Sequence, residues 1–124
     1  MIAGIGCDIT DCARIRAAAE NHGQAFLEHL LTPREQAESR GEVSYYAGRW
    51  AAKEALSKAL GCGIGAGCAF TDIEILNNAA GRPEAVLSGA AKETAERLGA
   101  ARIHVSISHE REYAIAMAVL ETAV

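Results

Sequence analysis

Along this chain, apolar positions recur with two periods, near two and near 3.6 residues, and the switches between them mark the elements. Residues 2–9 form a short apolar, glycine-containing run that reads as a buried strand ending near Thr10. Asp11 or Thr10 can cap a helix over roughly 12–22, stopped at His22-Gly23. Thr32-Pro33-Arg34-Glu35 is a helix start, with Thr32 as cap, Pro33 as first helical residue and Glu35 reaching back in a capping box. The pattern ends that helix at Gly41 and runs a long one from 43 to 60, stopped by Gly61. Residues 69–76 alternate as a strand, Asn77 to Pro83 read as a turn, and Ala85-Val86-Leu87 supply a short hairpin partner. Ser88 is placed to cap a helix reaching about Leu98 and closed by Gly99. Residues 102–108 and 113–120 are strands of a hairpin around His109-Glu110-Arg111-Glu112. The order predicts an α+β fold in a single domain over 1–124, a small antiparallel sheet packed against a long central helix.

Composition sharpens that picture. Half of the 124 residues are hydrophobic and 23% are charged, a globular balance with enough chain for a core. Aromatics are only 5% while alanine is abundant, so the core must close through small side chains and tightly approaching helices. Twelve Lys and Arg against sixteen Asp and Glu give a net charge of −4, which argues against general nucleic-acid binding. The longest apolar run, 113–120, is far shorter than the roughly 20 residues of a bilayer span. No basic segment precedes the first apolar stretch and Asp8 interrupts it, so neither a signal peptide nor membrane attachment is expected, and the expected location is cytoplasmic. Cys7, Cys12, Cys62 and Cys68 form no CxxC pair and no Cys–His cluster, which predicts free, buried or partly buried thiols. Gly61-Cys62-Gly63-Ile64-Gly65-Ala66-Gly67 is phosphate-loop-like in composition. It follows a helix and lacks the GK[ST] ending, so it reads as a helix stop with a flexible link.

Three places put polar groups where the pattern calls for apolar ones. Asp8 shares a strand face with Ile2, Gly4 and Gly6 and is either a helix cap or a ligand; Asp11 is the better placed cap. Glu54 falls in the helical stripe of Val43, Ala47, Trp50 and Ala51, within a helix apolar nearly all round. An internal ion pair with Lys58 at i+4 would satisfy it; so would a metal. With Lys53 and Ser57, the segment offers a carboxylate, two ammonium groups and a hydroxyl, the set a magnesium-bound polyphosphate needs. In His104-Val105-Ser106-Ile107-Ser108-His109 the Ile and Val residues face one way and His104, Ser106 and Ser108 the other, a half-solvated strand with a histidine at its tip.

Four blocks, in order, carry a family resemblance. Gly4-Ile5-Gly6-Cys7-Asp8-Ile9 with Arg14-Ile15 resembles the opening of holo-[acyl-carrier-protein] synthases, the small bacterial 4′-phosphopantetheinyl transferases. Arg49-Trp50-Ala51-Ala52-Lys53-Glu54-Ala55-Leu56-Ser57-Lys58-Ala59-Leu60-Gly61 is similar to the family's central helix, its most specific signature. Gly81-Arg82-Pro83 and His104-Val105-Ser106-Ile107-Ser108-His109 resemble the remaining blocks, and together they span nearly the whole chain.

The resemblance implies transfer of the phosphopantetheine arm of coenzyme A to a serine of apo acyl carrier protein, releasing adenosine 3′,5′-bisphosphate, in fatty acid (lipid) biosynthesis. It implies Mg²⁺ at Asp8 and Glu54, Lys58 beside the pyrophosphate, Lys53 and Ser57 as further coenzyme contacts, and coenzyme binding at Gly81, Arg82, Pro83 and His109. It also implies a homotrimer with active sites at subunit interfaces. A carboxylate of the metal pair is expected to take the serine proton, Asp8 ahead of Glu54. The family's first helix usually offers acidic carrier proteins a basic face; here Arg14 and Arg16 are diluted by Glu20, and docking is expected to weaken with salt. Two other readings stand beside this one. A serine hydrolase built on Ser106 or Ser108 lacks a GxSxG elbow and would need Ser108 and His109 on one strand face. A non-catalytic coenzyme-binding scaffold would have no use for two metal-binding carboxylates.

Overall fold

The computed structural model describes residues 1–124. The chain runs β1 (Ile2–Asp11), α1 (Cys12–His22), α2 (Gln24–Leu30), α3 (Pro33–Glu38), α4 (Val43–Leu60), a 3₁₀ turn (Phe70–Asp72), β2 (Ile73–Asn77), β3 (Pro83–Leu87), α5 (Gly89–Arg97), β4 (Ala100–His109) and β5 (Tyr113–Thr122). An antiparallel sheet of order β1-β5-β4 carries α4 on one face, and β2 and β3 form a separate hairpin. This is the expected α+β architecture.

The alanine-rich composition finds its explanation where α4 meets the sheet. Ala47, Ala51, Ala52, Ala55 and Ala59 of α4 join Ala114, Ala116, Ala118 and Leu120 of β5 in one buried cluster. Gly4 and Gly6 on β1 bring the strand against the helix backbone. A β-carbon at Gly4 would collide with the Ala59 carbonyl, and one at Gly6 with the Ala55 carbonyl. Any side chain at either position would push α4 away from β1.

Local signals set most boundaries. Asp11 caps α1, its carboxylate accepting from the Ala13 amide at 2.8 Å. Thr32 and Glu35 complete the predicted capping box of α3, and Gly61, left-handed at φ 80°, ends α4 at Leu60 as expected.

Elsewhere the structure departs from the pattern. α2 has no counterpart among the expected elements; its seven residues are held by Phe26 and Leu30 in the core. α3 stops at Glu38, where Arg49 and the Asn77 amide engage the glutamate's two oxygens. The strand expected over 69–76 starts only at Ile73, because Asp72 folds its carboxylate back onto the Ala69 amide in a 3₁₀ turn. Ser88 gives α5 no side-chain cap; its hydroxyl donates to the Asp72 carbonyl, and the Asp72 carboxylate receives the Ala91 amide. Cys12 and Cys68 are buried, but Cys7 and Cys62 are exposed, correcting the expectation of four sheltered thiols. No helix is long and apolar enough to cross a membrane.

Candidate active site at the β1–α4 junction

Asp8 emerges where β1 outruns the close contact with α4. It lies two residues beyond Gly6 on the same face, so its side chain reaches the helix at a point where no glycine is needed. Thr10 donates to its Oδ2 at 2.8 Å, and the Lys58 ammonium approaches its Oδ1 at 3.3 Å while donating to the Cys7 carbonyl at 3.0 Å. Lys58 therefore answers Asp8 across the junction, not Glu54 along its own helix. Glu54, half-buried one turn before Lys58, is held above the ordinary carboxylate range by burial first and by the charge of Asp8 second; Lys58 and Arg14 pull the other way. The arrangement is two carboxylates within each other's field and one mobile ammonium, exposed along about half its side chain, lying against them. Arg14 sits over the Trp50 ring at 5.4 Å, placing a second cation beside the cluster.

Two neighbours of Glu54 are committed elsewhere. Lys53 is fully buried. Its ammonium donates to Glu35 and to the Leu30 carbonyl, both at 2.7 Å, so it does not reach the surface where a coenzyme would lie. The Ser57 hydroxyl is also buried and donates to the Glu54 carbonyl at 2.7 Å. Helical rotation of about 100° per residue separates them from the open side on which Glu54 and Lys58 sit. The sequence missed Glu35, which accepts from Lys53, the Thr32 amide and the Ile75 amide. Its one signal was the capping box, which accounts for a single oxygen.

The other predicted residues lie across the sheet. Gly81, at φ 84°, turns the chain between β2 and β3, and the Asn78 side chain accepts from the Ala80 and Arg82 amides at 2.9 and 3.0 Å. Arg82 and Pro83 line a groove of about 730 Å³ against Ile103 to Ile107 on the β4 edge. Register carries His109 onto Ala114 and then Thr10, the helix-facing side of the sheet, with its ring exposed at the strand end. The sheet order places β1 at one edge and β4 at the other, so the Asp8–Glu54–Lys58 cluster and the Arg82 groove stand two strand spacings or more apart, about 10 Å. One chain does not bring them together.

The hydrolase reading finds no support in this geometry. Ser108 and His109 project to opposite faces, and His104 bonds the Glu121 carboxylate at 3.0 Å. His104 and then Arg102 hold Glu121 below the usual carboxylate range.

Comparison with known proteins identifies the family. Residues 4–118 match the family model of the 4′-phosphopantetheinyl transferase superfamily. The chain is 50% identical over 120 residues to the holo-[acyl-carrier-protein] synthase of Ruminiclostridium cellulolyticum, covering 94% of this chain and 90% of that one. It is 49% identical to the holo-[acyl-carrier-protein] synthase of Solidesulfovibrio magneticus, with 98% and 99% covered. Among solved structures, the Neisseria meningitidis holo-[acyl-carrier-protein] synthase superposes with a TM-score of 0.89 at 38% identity, over 98% of this chain and 100% of that one. The Helicobacter pylori holo-[acyl-carrier-protein] synthase in complex with coenzyme A gives 0.87 at 38% identity, over 94% and 99%. The chain therefore belongs to the 4′-phosphopantetheinyl transferase superfamily and is an enzyme of its holo-[acyl-carrier-protein] synthase branch.

Proposed function

We propose that this enzyme moves the 4′-phosphopantetheine arm of coenzyme A onto a serine of apo acyl carrier protein, with Mg²⁺ bound by Asp8 and Glu54, in the cytoplasmic synthesis of fatty acids. The observation that carries this reading is the convergence of Asp8, Glu54 and Lys58 at the β1–α4 junction. The donor set suits a hard divalent cation: two carboxylates, oxygen only, with room for phosphate and water to complete the shell. Burial, and after it the charge of Asp8, disfavour the ionised form of Glu54, and the Lys58 ammonium already lies against Asp8. Mg²⁺ bound there would offset charge on the two phosphates of the coenzyme.

The chain's own groups supply the rest. The serine oxygen attacks the β-phosphorus, the bond from that phosphorus to the bridging oxygen breaks, and adenosine 3′,5′-bisphosphate leaves with the bonding pair. Lys58, on a flexible stem with more than half its side chain exposed, can swing from Asp8 to the departing oxygens and offset their charge. The hydroxyl proton passes to a carboxylate of the pair. Thr10 and Lys58 already engage the two oxygens of Asp8, which leaves Glu54 as the acceptor this reading prefers to the Asp8 expected from sequence. Arg82, Pro83 and His109 would meet the coenzyme from a neighbouring subunit, with the Gly81 turn fixing Arg82.

A homotrimer would close that gap. The sheet face opposite α4 is an unpartnered apolar surface, with Ile5 65%, Ile9 67%, Ile115 47% and Met117 47% exposed. A face of this kind is normally covered by another protein surface.

Intact-mass measurement of apo acyl carrier protein incubated with this enzyme, coenzyme A and Mg²⁺ tests the reading. The carrier is expected to gain the mass of one phosphopantetheine, and chelator should abolish the gain. A carrier of unchanged mass, with coenzyme A still bound by the enzyme, would favour the scaffold reading instead.

A further inference from the structure

The segment joining α4 to the 3₁₀ turn holds two thiols that the transfer reaction leaves unused. After Gly61 ends the helix, the amides of Cys62 and Gly63 both donate to the Ser57 carbonyl, at 3.1 and 3.2 Å, pinning the start of the loop to the helix end. The Cys62 thiol lies 3.8 Å from that same carbonyl. Gly65 and Cys68 then pair in a tight antiparallel bridge, with N···O distances of 2.9 and 3.2 Å, which folds the chain back on itself. A β-carbon at Gly67 would stand 3.5 Å from the Cys62 β-carbon, so the two ends of the loop are in contact. Cys62 is exposed and Cys68 is fully buried.

We propose that Cys62 and Cys68 form a reversible disulfide, making this loop a redox-modification site whose co-reactant is a hydroperoxide. The Cys62 thiolate attacks the terminal peroxide oxygen, the O–O bond breaks, and an alcohol or water leaves, giving a sulfenic acid on Cys62. The Cys68 sulfur then attacks the Cys62 sulfur, the S–O bond breaks, and water leaves with the Cys68 proton. Two thiols and one hydroperoxide become one disulfide, one alcohol and one water. A disulfide needs β-carbons roughly 3.5–4.5 Å apart; a β-carbon on the residue just before Cys68 would already stand at 3.5 Å from that of Cys62, so Cys68 is one residue out of register for the bond. The intervening segment carries Gly63, Gly65 and Gly67, so it can make the remaining adjustment without strain on side chains.

The order of events follows from exposure. Burial, and next the neighbouring Cys62 sulfur, push the Cys68 thiol up to about 12, so it stays protonated and sheltered until Cys62 has reacted. The other two thiols lie elsewhere: Cys7 on the outer sheet face and Cys12 in the core at the start of α1.

Digestion distinguishes the pair without ambiguity. Trypsin cuts after Lys58 and Lys92 but not between Arg82 and Pro83, so residues 59–92 form one peptide holding both cysteines, while Cys7 and Cys12 lie in 1–14. The folded enzyme is exposed to equimolar hydrogen peroxide, alkylated, and digested without reduction. The 59–92 peptide is expected two hydrogens light and unalkylated, returning to two alkylated thiols after dithiothreitol. Cys62→Ser and Cys68→Ser, checked for native circular dichroism, should each lose that signature. Two alkylated thiols after peroxide, added oxygen on Cys62 beside an alkylated Cys68, or Cys62 joined to Cys7 or to another chain would each overturn the proposal.

Discussion

At the scale of single residues, the site is governed by what each side chain is already bonded to. Glu54 is the clearest case, because its environment favours the neutral form. Its folded value lies above the unfolded one, so its contribution to stability is complete below the ordinary value of 4.5 and is lost as pH rises through the raised value. At neutral pH the bare carboxylate is a net cost. Metal-free Glu54→Gln should therefore melt no lower than the parent near pH 7 and show a flatter melting profile above pH 4.5; if Asp8 and Glu54 hold Mg²⁺ as proposed, adding Mg²⁺ should raise the Tm of the parent and not that of the variant. Its transfer rate should fall at least ~10²-fold in a carrier-protein mass assay. Gly6 illustrates the opposite constraint, steric and not electrostatic. Gly6→Ala sets a methyl against the Ala55 carbonyl and should destabilise the fold by about 1–3 kcal/mol in urea unfolding, with loss of activity as Asp8 moves from Glu54.

At the scale of elements, α4 is held near its middle by two buried cations one turn apart. Lys53 joins it to α2 and α3 through Leu30 and Glu35. Arg49 joins it to β2 through the Ile75 carbonyl and the Asn77 side chain, each at 3.0 Å. These ties set the rotation of α4 that presents Glu54 and Lys58 to β1. Lys53→Met would leave Glu35 charged and unpaired in the core, a loss of about 3–5 kcal/mol in urea unfolding. Adding Glu35→Gln should recover part of it, since the amide keeps an acceptor for the Ile75 amide without the orphaned charge. Helix limits at this scale were readable wherever a cap or a glycine stop dictated them, as for α1 and α4. They were not readable for α2, where Phe26 and Leu30 act through core partners, or for the 3₁₀ turn, where Asp72 binds the nearby Ala69 amide and also the Ala91 amide of α5.

For the whole molecule, the decisive feature is the separation of the Asp8 cluster from the Arg82 groove by the width of the sheet. If subunits share the site, Asp8→Asn and Arg82→Ala should each be inactive alone, yet regain up to about a quarter of parental activity when denatured together and refolded into mixed trimers. If the proposed homotrimer forms through the apolar outer face, Met117→Glu, which sets a charge there, should shift sedimentation from trimer to monomer and reduce activity with it.

Sequence by itself determined the family, the α+β order and the long central helix, because strand alternation, helical caps and short blocks are local properties that survive without coordinates. Which polar groups remained free for chemistry was decided by tertiary structure. Lys53, Ser57 and Lys58 are equivalent as letters in one helix, but packing buries the first two against Leu30, Glu35 and the helix backbone and leaves only Lys58 facing Asp8. A charge takes its role from its partners, and those partners lie 18, 23 and 50 residues away along the chain.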